Sequence, residues 1–137
     1  LHEPVEGPNS TLRGRVMRET AQSAASLGFE PAVRFVGPVD SGISDNIGEH
    51  LVAALREVLT NAAKHAEASQ VDVVVALERD FVVLTATDDG IGLPEEGPAR
   101  RSGMANIAAR AAELGGDCRS ERVSPEGGTR VVWRAPA

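Results

Sequence analysis

Glu57, Asn61, Lys64 and His65 fall in a single run, REVLTNAAKHA, and about 23 residues further on the chain reads TDDGIGLP. An acid, an amide and a base share one stripe of a predicted helix, and a glycine-punctuated acidic turn follows. Together these groups can hold a magnesium nucleotide without a Walker-type phosphate loop. The chemistry they predict is binding of ATP for phosphoryl transfer.

Each group also has a plainer use. In Asp88-Asp89-Gly90-Ile91-Gly92 the glycines allow a tight turn and close approach of a flat ligand, and a carboxylate at a strand end can accept from an exocyclic amine such as adenine's. The same DDG is a common turn sequence. At about 100° per residue, Glu57, Asn61 and Lys64 fall within roughly 60° of one another, beside the apolar stripe. They could be solvated surface residues with a pair energy of about 0.3 kcal/mol. Asparagine is a poor interior helix residue, however, and a carboxamide at the edge of a core needs a partner. An oxygen ligand for Mg²⁺ meets that need, because Mg²⁺ takes few protein ligands and completes its shell with phosphates and water. His65 reads first as a capping or packing histidine near a helix C-terminus. Gly103 follows Arg100-Arg101-Ser102 and opens a helix, a ready anion site. Gly127-Gly128-Thr129 reads by default as a hairpin turn.

The elements that must position these groups are legible from periodicity. Leu12, Val16, Ala21, Ala24 and Leu27 predict a helix over 11–27 with Gly28 as its stop. Pro31 to Val36 reads as a strand and Asp40 to Asp45 as a polar loop, with Ser44 or Asp45 capping the next helix. That helix, about Asn46 to His65, buries Ile47, Leu51, Leu55, Val58 and Ala62. Val71 to Leu77 and Phe81 to Thr87 form a hairpin-like pair. An irregular, mobile loop is expected from Asp88 to Ser102. Met104, Ile107, Ala108, Ala111 and Leu114 give a third helix, stopped by Gly115-Gly116, and two strands follow near Cys118 to Val123 and Thr129 to Ala135. The order predicts an α+β fold, a two-layer sandwich with a mixed five-stranded sheet and three helices on one face.

With 137 residues, the chain is one domain by length and can bury roughly 68% of the surface it exposes when unfolded. Residues 1–10 are expected to be a tail or the end of an upstream linker, and 11–137 the folded domain. The opening LHEPVEGPNS, without Met, reads as the start of a piece cut from a longer protein. A net charge of −6 and three Phe, one Trp and no Tyr argue against nucleic acid as a partner. No apolar run approaches the roughly 20 residues of a membrane span. The single cysteine, Cys118, reads as a small strand residue in a reducing, cytoplasmic compartment. The chain holds no G-x-x-x-x-G-K-[ST], no kinase H-R-D or D-F-G set and no G-x-S-x-G.

Taken in order, REVLTNAAKHA, DDGIG, SGMANIAARAAELGG and GGTRVVW resemble the four ATP-binding boxes of the GHKL superfamily, as found in the catalytic domain of bacterial sensor histidine kinases. The resemblance runs from about Ala32 to Pro136. The NAxKHA and R-A-x-x-L-G-G forms are similar to the subclass whose partners are NarL-type response regulators, and within it to the oxygen-sensor kinases of the mycobacterial dormancy system. The resemblance implies a Bergerat-type fold with ATP and Mg²⁺ as its cofactors. It implies that Asp88 accepts the adenine amino group, that Gly90 and Gly92 shape the adenine pocket and that Asn61 ligates Mg²⁺. Glu57 would bind Mg²⁺-associated water or polarise the reacting centre, and Lys64 would reach the phosphates, which makes these two the catalytic candidates. Gly103 would hinge the lid and offer its amide to phosphate, Thr129 would support Asp88 from the next strand, and His65 and Met104 would complete the nucleotide contacts. The implied partners are an upstream dimerisation domain carrying the phosphoacceptor histidine and a response regulator, with the full-length protein a homodimer.

Two departures accompany the resemblance. Arg101 stands where the second glycine box usually has its first glycine. The stretch from Leu93 to Ser102 is short and has no phenylalanine box. His2-Glu3 imitates an acceptor pair, but Pro4 excludes it from a long helix. The alternative function is a serine-kinase switch of the anti-sigma-factor type from the same superfamily. A degenerate docking domain is a third reading, against which the intact Asp88, Asn61 and glycine turn count.

Overall fold

A computed structural model of the chain describes residues 11–66, 68–90 and 98–137. Helix α1, Leu12–Leu27, starts where the Thr11 hydroxyl accepts from the Gly14 amide at 3.0 Å, and it ends at Gly28 in the left-handed region, φ 88°. Strand β1 is Ala32–Val36. A four-residue helix, α2 (Val39–Gly42), then replaces the first part of the expected polar loop. The Gly42 amide donates to the Pro38 carbonyl at 2.9 Å, and Val39 is wholly buried, so one apolar side chain seats a turn that is otherwise polar.

Helix α3, Asp45–Asn61, is capped by Ser44, whose hydroxyl accepts from the Ile47 amide at 3.3 Å. This resolves the choice between Ser44 and Asp45, and leaves Asp45 in the first turn where its charge suits the helix dipole. Leu51, Leu55, Val58 and Leu59 bury the apolar stripe. Beyond Asn61 the helix does not continue as α, because Ala62–Ala66 form a π-helical turn. Strands β2 (Val71–Glu78) and β3 (Phe81–Asp88) form the expected hairpin. Helix α4, Pro98–Glu113, begins four residues before the expected end of the preceding loop, with proline in the first position, where its missing N–H costs nothing. The part of that loop over 91–97 lies outside the described residues.

Strands β4 (Asp117–Ser124) and β5 (Gly127–Pro136) complete, among the described residues, one five-stranded sheet of order β1-β2-β3-β5-β4. β1 pairs parallel to β2 and every other pair is antiparallel, so the sheet is mixed as expected. Alternation sets one face against the helices. Val71, Val73 and Val75 from β2, Val82, Leu84 and Ala86 from β3, and Val131, Trp133 and Ala135 from β5 are buried with α1, α3 and α4 in a single core. Trp133 is fully buried, and its indole N–H donates to the Ile107 carbonyl at 3.1 Å, which fastens α4 to the centre of the sheet. Helix α4 stops at Gly115, φ 90°, with the Gly116 amide donating back to the Ala111 carbonyl at 2.7 Å. The opposite sheet face carries Arg134, paired with Asp117 at 3.3 Å and lying 4.5 Å over the Phe81 ring.

For the site, the register matters most. Asp88 at the end of β3 stands opposite Thr129 near the start of β5 and opposite Val71 at the start of β2. Three strands therefore meet at one end of the sheet, and the chain arrives there directly from the C-terminus of α3.

Candidate functional site

Asp88 ends a strand whose alternate residues Val82, Leu84 and Ala86 face the helices, so it shares their face. One of its carboxylate oxygens accepts from the Gly90 amide at 2.9 Å, closing a two-residue turn. Gly90 is itself buried, and its carbonyl accepts from the Gly128 amide at 2.8 Å, tying the turn to β5. Gly128 has φ 85°, and a Cβ there would approach the Asp88 carbonyl to 3.1 Å, so glycine is needed at this crossing. The default reading of Gly127-Gly128 as a hairpin turn is corrected: both residues open β5, and the turn itself is Pro125-Glu126. The Asp88–Gly90 turn borders a groove of about 320 Å³ that opens past the sheet end towards Asp72 and Thr87 on the uncovered face.

Thr129 is 2% exposed, and its hydroxyl has no hydrogen-bond partner among the described residues. It stands opposite Asp88, but its hydroxyl makes no hydrogen bond among the described residues, so the support expected of it is not a bond from that hydroxyl. Asn61, 6% exposed at the last α turn of α3, has the same property, because its side-chain nitrogen is buried and unpartnered among the described residues. An unsatisfied buried donor costs about 1–3 kcal/mol. Both lie at positions expected to contact ligand, and neither is satisfied by a group among the described residues.

The other groups divide. Glu57 is half-buried and lines a cleft of about 340 Å³ between α3 and α4, together with Asn106, Arg110 and Glu113. Arg110 reaches across this cleft to His50 Nδ1 at 3.1 Å. Lys64 is exposed and lines a different groove of about 250 Å³ against α1, beside Glu19, Arg56 and Thr60. The predicted common sector of Glu57, Asn61 and Lys64 is thus not realised. A π turn advances less than 100° per residue, so residues after Asn61 lag behind the α stripe and Lys64 rotates towards the Thr60 side. His65 lies on the same turn, and its side chain is outside what is described, as is that of Met104 on α4; Gly103, expected to open that helix, lies five residues inside it, because the helix begins at Pro98, and Gly92 lies outside the described residues altogether.

Asp89 was legible in the sequence only as turn filler. Its carboxylate accepts from the Ser69 amide at 2.8 Å, the Ser69 hydroxyl at 2.7 Å and the Gln70 amide at 2.9 Å. The Ser69 hydroxyl, before the other bonds, holds this carboxyl below its ordinary value. The sequence did carry a signal for it. Adjacent residues leaving a strand point to opposite faces, so the second acid of DDG could not duplicate the first.

A family signature described as "Histidine kinase-, DNA gyrase B-, and HSP90-like ATPase" matches residues 46–137, about two thirds of the chain. The chain belongs to this family. As a histidine kinase-type ATPase domain it has relatives among named sensor kinases. It is 45% identical over 84 residues to the nitrate/nitrite sensor protein NarX of Escherichia coli, which covers 61% of this chain and 14% of NarX. It is 31% identical over 99 residues to the sensor histidine kinase LiaS of Bacillus subtilis, covering 71% of this chain and 27% of LiaS. The chain therefore spans about a seventh to a quarter of the length of these curated relatives. The ATP-binding domain of PrrB from Mycobacterium tuberculosis matches at TM-score 0.66 and 27% identity, covering 93% of this chain and 94% of that one. The mixed five-stranded sheet with its helices is thus the fold of histidine kinase ATP-binding domains. No helix among the described residues is long and apolar enough to cross a membrane.

Proposed function

We propose that this ATPase-family domain binds Mg-ATP at the sheet end bounded by Asp88, Thr129 and Asn61, and presents it to a histidine on a dimerisation domain outside this chain. The observation that carries the proposal is the pair of orphaned buried atoms, Asn61 Nδ2 at the end of α3 and Thr129 Oγ1 on the residue opposite the strand-end Asp88, in a fold of this family. Asp88 would receive the adenine amine, with Gly90 and Gly92 shaping the pocket and Thr129 supplying the neighbouring hydroxyl. Asn61 suits both parts of Mg-ATP, its oxygen a divalent ion and its nitrogen a phosphate oxygen. Among the described residues no cluster of acidic, histidine or cysteine side chains gathers at a metal site. An ion at Asn61 would therefore take its other ligands from phosphate and water, with Glu57 holding that water. His65 would border the phosphates from the π turn and Gly103 and Met104 from the second turn of α4, whereas Lys64, in the groove against α1, would reach them only by a change of side-chain conformation.

Phosphoryl transfer depends on positioning the reacting groups, so the acceptor domain decides activity. The chain alone should bind nucleotide weakly and not label itself. The NAAKHA and RAAELGG forms support a NarL-type response regulator as final acceptor and a kinship with mycobacterial oxygen-sensor kinases; the family supports a homodimeric full-length protein, and the single cysteine a reducing, cytoplasmic setting. The sensor kinases among the relatives favour this reading over the serine-kinase switch. Calorimetric titration with Mg-ATP tests binding. Incubating the chain, the upstream helices and their mixture with radiolabelled ATP tests transfer. Acid-labile label should appear on the helices in the mixture only; label on the chain alone, abolished by His2→Ala, would overturn the proposal.

A further inference from the structure

We infer that Asp89 is a positioning residue for nucleotide binding, holding the Asp88–Gly90 turn in register with the segment that leaves α3. The inference rests on the reading of Asp88 as the adenine acceptor. The turn is anchored on two sides. Towards β5, Gly90 accepts from Gly128 at 2.8 Å. Towards β2, beyond the strand pairing of Asp88 with Val71, Asp89 makes the side-chain connection. One of its carboxylate oxygens accepts both the Ser69 and Gln70 amides, the other accepts the Ser69 hydroxyl, and its own amide donates to the Gln70 carbonyl at 3.2 Å.

Ser69 and Gln70 lie between the π turn and β2, eight and nine residues after Asn61. One carboxylate thus joins the strand-end acid to the helix that carries the other half of the site. Without it, the two amides lose their acceptor, and towards β2 the turn keeps only backbone contacts, the pairing of Asp88 with Val71 and the Asp89 amide bond to Gln70. Asp88 would then sample positions in which its carboxylate is not aimed at a ligand, and a loosened site binds less well because ordering it is charged against the binding. The depressed titration of Asp89 keeps it ionised, and the clamp intact, throughout the neutral range.

The conservative variant separates positioning from charge. Asp89→Asn keeps an oxygen for both amides and offers an N–H to the Ser69 hydroxyl, which can accept it. Asp89→Ala removes all three side-chain bonds. Affinity for Mg-ADP, which is not turned over, is measured on the full chain by calorimetry beside each variant's melting temperature. Asp89→Ala should weaken binding about tenfold, as the loss of hydrogen bonds to a charged group allows, and Asp89→Asn should stay within about twofold of the parent. Unchanged affinity in Asp89→Ala would overturn the inference. Equal losses in the two variants would also overturn it, since charge and not hydrogen bonding would then be the cause. If Asp89→Ala does not fold, Ser69→Ala carries the test: it leaves both amide bonds and should weaken binding about two- to threefold, and no loss would refute the role. Asp88→Ala is run in parallel. Normal binding there would refute the adenine reading itself, whereas lost binding there with none lost in Asp89→Ala would refute the positioning role alone.

Discussion

Thr129→Val should make the nucleotide-free protein more stable and its nucleotide binding worse. The Thr129 hydroxyl is buried, with the residue 2% exposed, and has no partner among the described residues. A buried hydroxyl without a hydrogen bond costs about 1–3 kcal/mol on the scale of protein mutations. Valine keeps the β-branched shape and replaces the hydroxyl by a methyl group, so the strand is preserved. A gain of about 1.4 kcal/mol is expected, which for a domain of this size raises the melting temperature by roughly 4–6 °C. If the hydroxyl meets ligand beside Asp88, its loss weakens Mg-ADP about tenfold, again about 1.4 kcal/mol. At ligand about 1,000 times the parent's Kd, the parent gains about 4.1 kcal/mol and a tenfold weaker variant about 2.7. The two proteins should therefore melt apart without nucleotide and together at saturation. Scanning calorimetry across a nucleotide series reads both limits. A lower melting temperature in the nucleotide-free variant would show the hydroxyl to be satisfied and refute the argument at its root. A constant offset at all concentrations would show that Thr129 does not face the ligand.

Gly116→Ala should abolish folding or cost several kcal/mol in urea titration, because a Cβ there would overlap the Arg134 carbonyl oxygen and the strand behind it. Trp133→Phe should cost about 2–3 kcal/mol by the same titration, combining a small cavity with an Ile107 carbonyl that loses its indole donor, and amide exchange should rise first in α4. Cys118, whose thiol is pushed up to about 11 by burial and then by the charge of Asp117, gives a pH signature. The folded state binds this proton more tightly than the unfolded chain, so the contribution is complete below pH 9 and disappears as pH rises towards 11. With no tyrosine and one lysine in the sequence, few other groups titrate there. Stability should fall over that window in the parent and less in Cys118→Ala; identical slopes would refute the assignment.

The parts of this fold that the sequence declares are those with a repeating apolar signature. The α3 stripe, the β2–β3 hairpin and the Gly115-Gly116 stop all lie where patterning and glycine chemistry place them. Helix α2 escapes because a single turn has no period, and only the burial of Val39 marks it. The π turn escapes because Ala62, Ala63 and Ala66 are small on every side, so periodicity cannot distinguish a wide turn from an α turn. That omission put Lys64 on the wrong side of its helix. The strand-end acid was legible from one strand, but the link its neighbour Asp89 makes to Ser69 and Gln70 depends on the register of the β2–β3 hairpin, which residue types along one strand do not show.

A π turn carries one residue more than the α turn it replaces, so Ala62–Ala66 is in effect a one-residue insertion. Its consequence is phase. Up to Asn61 the chain keeps time with α1 and α4, and from Ser69 onward it keeps time with the sheet. Excising Ala63 would let the helix close normally and bring the chain to β2 one position short. Because a one-residue slip inverts every side chain of a strand, Val71, Val73 and Val75 would face the uncovered side unless the connection stretched to compensate. The spare residue therefore works as a frame-setter between two geometries, and a deletion there should be far less tolerated than any substitution of the same alanine.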